Sequence, residues 1–482
     1  VQAQDAGWYR YDFSLVNYLE QCEKATKNSS ASNMDRILNA TTNDPAVIAH
    51  RGEYSSLLPL IRRHRYGKGL FAAENTLLAF QNAQCSGYPG VEVDLKYTDA
   101  SGPEKNAAGQ RISDLSSKSE LILAHDENLM RFTNFGCENN FFNIEESAEI
   151  VDGKIKVNGE EKSNVVRPGS NRCSRIRNMQ ASKIKSSLKY MHTYNNTGHV
   201  MYQRNGELYN PIVNYINEAH SANGNSLFLR YVLGKAKNDS TLNRLIWVLD
   251  VQNYPTLELA LQVVEDLNMW DRVIFKIWIE ALPVKHTYYK DELILDLSRH
   301  PEANYVFGIN GLNTKLINGS LMSNVWKRGE LLGSEINLPT KDILNLIEQF
   351  SAQEPEHFLG FEFLIDNGKT PTDKAILGLQ SSIKSWSNPG KTWGVLRVAD
   401  YICNSKRFPE PCLLSKGKNL YGTAPTDGDA SWVRLYTEEQ ATIDARWQHG
   451  LKSAVRTQDI RGKGNPAFVS PATTTAIQSQ LR

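Results

Sequence analysis

The sequence predicts an α/β fold, a TIM (β/α)₈ barrel with a long insertion after its third strand and a C-terminal extension. Three observations lead there: short apolar or β-branched runs recur along the chain, helical stretches separate them, and roughly eight such units follow one another. The runs are AVIAH, GVEVDL, ELILAH, LIWVLDV, RVIFKIW, NYVFGI, FLGFEFLI and KTWGVLRV. In such a barrel the reactive groups sit at the C-terminal ends of the strands.

AVIAH ends abruptly in His50, followed by Arg51 and Gly52, so a strand delivers nitrogen-rich side chains where barrel enzymes keep their chemistry. TLLAFQNAQCSG, residues 76 to 87, has the 3.6-residue period of an amphipathic helix and stops near Gly87. GVEVDL carries Glu92 and Asp94 one residue apart, and the two-residue period of a strand puts both on one face. Their neighbours Val91, Val93 and Leu95 belong under the helices, so the carboxylates point into the barrel, where like charges need a shared cation. ELILAH, the expected third strand, brings His125 to a position equivalent to His50, and LIWVLDV adds Asp250 as a third carboxylate. Hard oxygen ligands favour Mg²⁺ or Ca²⁺. TLELALQVVEDLNM, from Thr256, repeats the helical period after that strand.

A chain of 482 residues with 40% hydrophobic residues has material for a large core. The barrel is placed at residues 45–400, with an N-terminal extension at 1–44, a polar insertion at about 130–245, and an extension at 401–482, rich in Pro, Gly, Thr and Ser, packed on the barrel. The formal charge of +1 leaves no global field for nucleic acid or anionic membrane. No apolar run of about 18 residues predicts a transmembrane helix. The first residue is Val1 rather than Met, which fits a removed leader. CNSKRFPEPC, from Cys403 to Cys412, closes a short loop that suits either a disulfide or two ordinary thiols, and the disulfide reading goes with an expected secreted or extracytoplasmic setting.

HRG at 50–52, ENTLLAF at 74–80, GVEVDLKYT from Gly90 and AHDENLMRFT from Ala124 resemble, in order, the motifs of the glycerophosphodiester phosphodiesterase family, to which the sphingomyelinase D (phospholipase D) toxins are related. A looser match continues through LIWVLDV to TWGV near Trp393. The resemblance implies a metal-dependent phosphodiesterase on a TIM barrel. It makes His50 and His125 the acid/base pair and gives a divalent metal ion to Glu92, Asp94 and Asp250. Arg51 would contact the phosphate, Glu74 would help organise the site, and Trp393 would line the substrate side. The expected substrate is a small phosphodiester or a lysophospholipid. Two other readings stand beside this one: a sphingomyelinase D- or lysophospholipase D-like enzyme that forms a cyclic phosphate, and a non-catalytic binding protein on the same barrel.

The chain departs from the family pattern at three places. Where the family has Glu-x-Lys, VLDVQN offers Asp250 and Gln252, and Lys276 in VIFKIW on the next strand replaces the missing cation if it points inward. Between HRG and ENT lies an insertion with Arg62, Arg63, His64, Arg65 and Lys68, read either as solvated surface or as a basic lip over an anionic substrate. The segment from 130 to 245 is longer than a minimal member needs.

Overall fold

The computed structural model describes residues 29–40, 46–52, 75–85, 88–100, 115–129, 174–188, 224–287, 292–297, 300–311, 313–328, 334–364, 370–397 and 430–436, with short strand segments at 104–105, 111–113, 148–151, 154–157 and 160–161. Its main sheet contains β1 (Ala46–His50), β2 (Gly90–Tyr97), β3 (Leu121–Leu123), β4 (Ile246–Val251), β5 (Val273–Trp278), β6 (Asn304–Asn310), β7 (Phe358–Leu364), β8 (Lys391–Arg397) and β9 (Ala430–Tyr436). The parallel neighbours run β1–β2–β4–β5–β6–β7–β8–β9, and β9 pairs back onto β1. The sheet therefore curls on itself into a TIM-like α/β ring.

Two expectations change. ELILAH is not a strand of that ring: β3 runs antiparallel to β2, Leu95 opposite Leu123, and lies beside it. The chain between them forms no helix among the described residues and instead carries a short antiparallel pair, 104–105 with 111–113, so no helical crossover brings it back for parallel pairing. The eighth parallel strand is instead ASWVRLY at 430–436, inside the segment assigned to the extension, so the barrel runs past residue 400. The expected insertion begins after β3, and most of 130–245 lies outside the described residues. So do Cys403 and Cys412.

Alternation along each strand builds two cores. Outward residues such as Val91, Val93, Trp247, Leu249, Phe275, Ile277, Phe307 and Phe361 pack under helices, among them α2 (Leu77–Cys85), α3 (Leu229–Asn238), α4 (Tyr254–Leu267), α5 (Thr340–Gln353) and α6 (Pro371–Ile383). Each such side chain stabilises the fold by about 1.5–3 kcal/mol. The helix starts are written in the sequence: Asn253 accepts hydrogen bonds from Thr256 N and Oγ1, Thr370 caps Asp373 N, and a proline sits in the first turn of both α4 and α6. Inward residues form a second, smaller cluster of Ile48, Ile246, Val248, Ile274, Val306, Leu359 and Trp393. Met34 and Ile37 join it from α1 (Ser30–Leu38), which Asn33 fastens to the backbone oxygen of Arg244 just before β4. Trp393, expected at the substrate, is fully buried in that cluster, with Glu362 as its register partner. No helix among the described residues is long and apolar enough to cross a membrane.

Candidate active site

One pleat above that apolar cluster, the inward side chains turn polar: His50 follows Ile48, Asp250 follows Val248, and Lys276 follows Ile274. Cross-strand register then aligns them, with His50 opposite Glu92, Asp94 opposite Asp250, and Asp250 opposite Lys276. Glu92, Asp94 and Asp250 are all buried, and each offers an oxygen within 4.8 Å of the others. The three carboxylates inferred from period-2 geometry do converge.

Cations and donors surround them. Arg51 Nε lies 2.9 Å from Asp94 Oδ2, and Asn75 Nδ2 donates to the same oxygen at 2.9 Å. Asp94 N donates in turn to Asn75 Oδ1. Both Arg51 and Asn75 occupy the left-handed region, at φ 59° and 53°, and Asn75 N donates to Arg51 O. That backbone costs on the order of 1 kcal/mol or more per residue and persists because the HRG turn and the start of α2 brace each other. Gly52, at φ +80°, makes the approach possible, since a Cβ there would meet the Ala79 backbone at 2.8 Å. Burial would raise the Asp94 carboxyl, but the charges of Arg51, His125 and Lys276 and the Asn75 hydrogen bond outweigh it and hold Asp94 well below the usual carboxylate range.

The two histidines sit differently. His50 is buried, with Nε2 4.0 Å from Glu92 Oε1. His125 keeps 41% of its side chain exposed, and its Nδ1 lies 2.7 Å from Asp126 Oδ1. An ionised carboxylate only accepts, so the proton of that bond belongs to Nδ1, and Nε2 is left as the nitrogen that presents a lone pair whenever the ring is neutral.

Lys276 points inward and is fully buried. Its Nζ donates to Glu92 Oε1 at 3.0 Å and lies 3.6 Å from Asp250 Oδ2 and 3.5 Å from Glu362 Oε2. Gln252, the position without the expected lysine, accepts from Lys96 Nζ at 3.1 Å, and Lys96 also reaches Glu127 at 3.1 Å. Trp278 Nε1 donates to Asp250 Oδ1 at 2.5 Å, with its ring over Gly308, where a Cβ would come within 2.3 Å of the indole. Glu362, Trp278, Asn75 and Lys96 were all missed in the sequence. Glu362 left a signal, being the one charged residue in FLGFEFL at an inward position. Glu74 and the basic stretch Arg62, Arg63, His64, Arg65 and Lys68 lie outside the described residues.

The residues fit a divalent cation. Among the described residues, four buried carboxylates (Glu92, Asp94, Asp250 and Glu362) face two permanent buried cations, Arg51 and Lys276. The excess of two negative charges and the all-oxygen donor set suit a hard dication. No family model matches the chain, and no curated protein matches it. Among solved structures, one neighbour is "Putative glycerophosphoryl diester phosphodiesterase" from Silicibacter pomeroyi, 11% identical, covering 72% of this chain and 90% of its own, with a TM-score of 0.29. A likeness at that level assigns no function, which must come from the residues of the site.

Proposed function

We propose that this chain is a metal-dependent phosphodiesterase that hydrolyses a glycerophosphodiester-like substrate to an alcohol and a phosphomonoester. The observation that carries the reading is the buried triad of Glu92, Asp94 and Asp250 with His50 beside Glu92. The triad would hold Mg²⁺ or Ca²⁺, which when bound supplies Lewis-acid neutralisation of the non-bridging phosphate oxygens. His125, open to solvent and oriented by Asp126, takes the proton of the attacking water. His50 returns a proton to the leaving alkoxide. Lys96 is one pleat nearer the mouth than Asp94 and 12% exposed, so it suits the phosphate better than the fully buried Lys276. Arg51 acts through Asp94, holding that carboxylate ionised and in place.

The test is an assay of a panel of glycerophosphodiesters and lysophospholipids with Mg²⁺, Ca²⁺ or chelator, with products identified by ³¹P NMR. Phosphomonoester release that chelator abolishes is the expected result; cyclic phosphate as the end product would favour the sphingomyelinase D-like reading. Turnover unchanged by chelator would overturn the role of the triad.

A further inference from the structure

Lys276 poses a question that the proposed reaction leaves open. A fully buried ammonium is tolerated only while carboxylates neutralise it, and its three donors face three of them: Glu92, Asp250 and Glu362. Two of the three belong to the triad. Any divalent cation held by Glu92, Asp94 and Asp250 therefore draws on the same oxygens that neutralise Lys276, and the 3.0 Å hydrogen bond to Glu92 is the one most directly contested. Glu362 alone is outside that contest. It is fully buried on β7, two strands from β5, and it reaches across the intervening strand at Gly308, its register partner, which has no side chain of its own. The Trp278 ring lies over that glycine with Lys276 Nζ 5.1 Å from its centroid, so the ammonium is held from one side while Glu362 faces it from another.

Resting on the reading of the triad as a cation site, we propose that Glu362 is a positioning residue: it is the alternative partner of Lys276, taking over the ammonium so that Glu92 can be given up to a divalent cation. Glu362 itself does not ligate. Without it, the carboxylates that face Lys276 among the described residues, Glu92 and Asp250, both belong to the triad, and cation binding must compete with a buried lysine for them.

The experiment is calorimetric titration of Mg²⁺ and, separately, Ca²⁺ into chelator-stripped full-length protein, for the parent, E362Q, K276M and the K276M/E362Q double variant, with thermal melts of each. E362Q should weaken cation binding about tenfold, equivalent to about 1.4 kcal/mol. That loss should vanish in the K276M background, where K276M/E362Q should bind as tightly as K276M. An equal loss in both backgrounds would mean that Glu362 acts only as a remote negative charge, and parent-like binding by E362Q would mean that it does not hold the lysine; either overturns the proposal. If E362Q does not fold, E362D takes its place, keeping the charge at a shorter reach, with weaker binding than the parent expected only while Lys276 is present. A parent protein that binds neither cation would remove the triad reading and this inference together, an outcome distinct from a parent that binds and an E362Q variant that binds equally well.

Discussion

Arg51 Nε and Asp94 Oδ2 are 2.9 Å apart with both side chains almost wholly out of solvent. A buried pair of this kind stabilises chiefly by what its loss would leave behind, an uncompensated charge costing about 3–5 kcal/mol. Asp94 is therefore a structural residue as well as a candidate ligand, and the two roles can be separated by choice of variant.

Asp94→Asn should lower cation affinity and activity and also destabilise the protein by about 3 kcal/mol, because Arg51 stays behind. Asp250→Asn should lower affinity with a smaller change in melting temperature, since an amide oxygen still accepts from Trp278 Nε1. The Asp94 carboxyl is depressed in the fold, so its stabilisation is present above the ordinary value of 3.8 and is lost as pH falls toward the lower folded value. Melts of parent and Asp94→Asn from pH 7 to pH 3 should converge toward the acid end; a constant gap would contradict the assignment.

His125→Ala should lower turnover by roughly 10²- to 10⁴-fold, the usual share of general acid/base catalysis. With much of the ring exposed, the melting temperature should hardly move. His50→Ala should cost similar activity and measurable stability as well, because it empties a buried position beside Glu92. A large loss of stability with His125→Ala would point to a structural histidine.

Glu280 follows β5 directly, in the turn Ile279–Ala281, and burial pushes its carboxyl up to about 7, partly opposed by hydrogen bonds to its own backbone and to Asn313. The group stays protonated in the fold while the unfolded chain ionises, so stability falls as pH rises from 4.5 to about 7 and then levels off. Glu280→Gln should match the parent near pH 4.5 and exceed it in melting temperature above pH 7.

Arg272 donates to the backbone oxygens of Ala236, Leu242 and Leu245 at 2.8, 3.1 and 3.3 Å, tying the end of α3 to the base of β5. Arg272→Met should destabilise by about 3 kcal/mol, since buried carbonyls left without donors cost about 1–3 kcal/mol each. Urea unfolding would check it, with kinetic constants under native conditions unchanged.

The carboxylates and His50 were legible because a strand's two-residue period fixes which residues share a face. Seven of the eight ring strands announced themselves as apolar runs for the same reason. ELILAH misled because an apolar run says nothing of strand direction, and the antiparallel course of β3 depends on a connection from β2 that forms a short hairpin pair in place of a helix among the described residues. ASWVRLY was passed over because its alternation is short and sits among Pro-, Gly- and Thr-rich sequence. The partners of Lys276 were illegible for a different reason: they come from β2, β4 and β7, and only cross-strand register brings them together.

The pairing of β9 with β1 has a consequence for how the chain comes to be folded. Ala46 and Trp432 are register partners, so the first strand of the ring waits for a segment made 386 residues later. Until then β1 presents an unpaired edge, the kind of surface that invites association with other chains, and contacts this distant in sequence form slowly. A nascent chain halted before residue 430 should therefore remain open on that side however complete its other seven strands are.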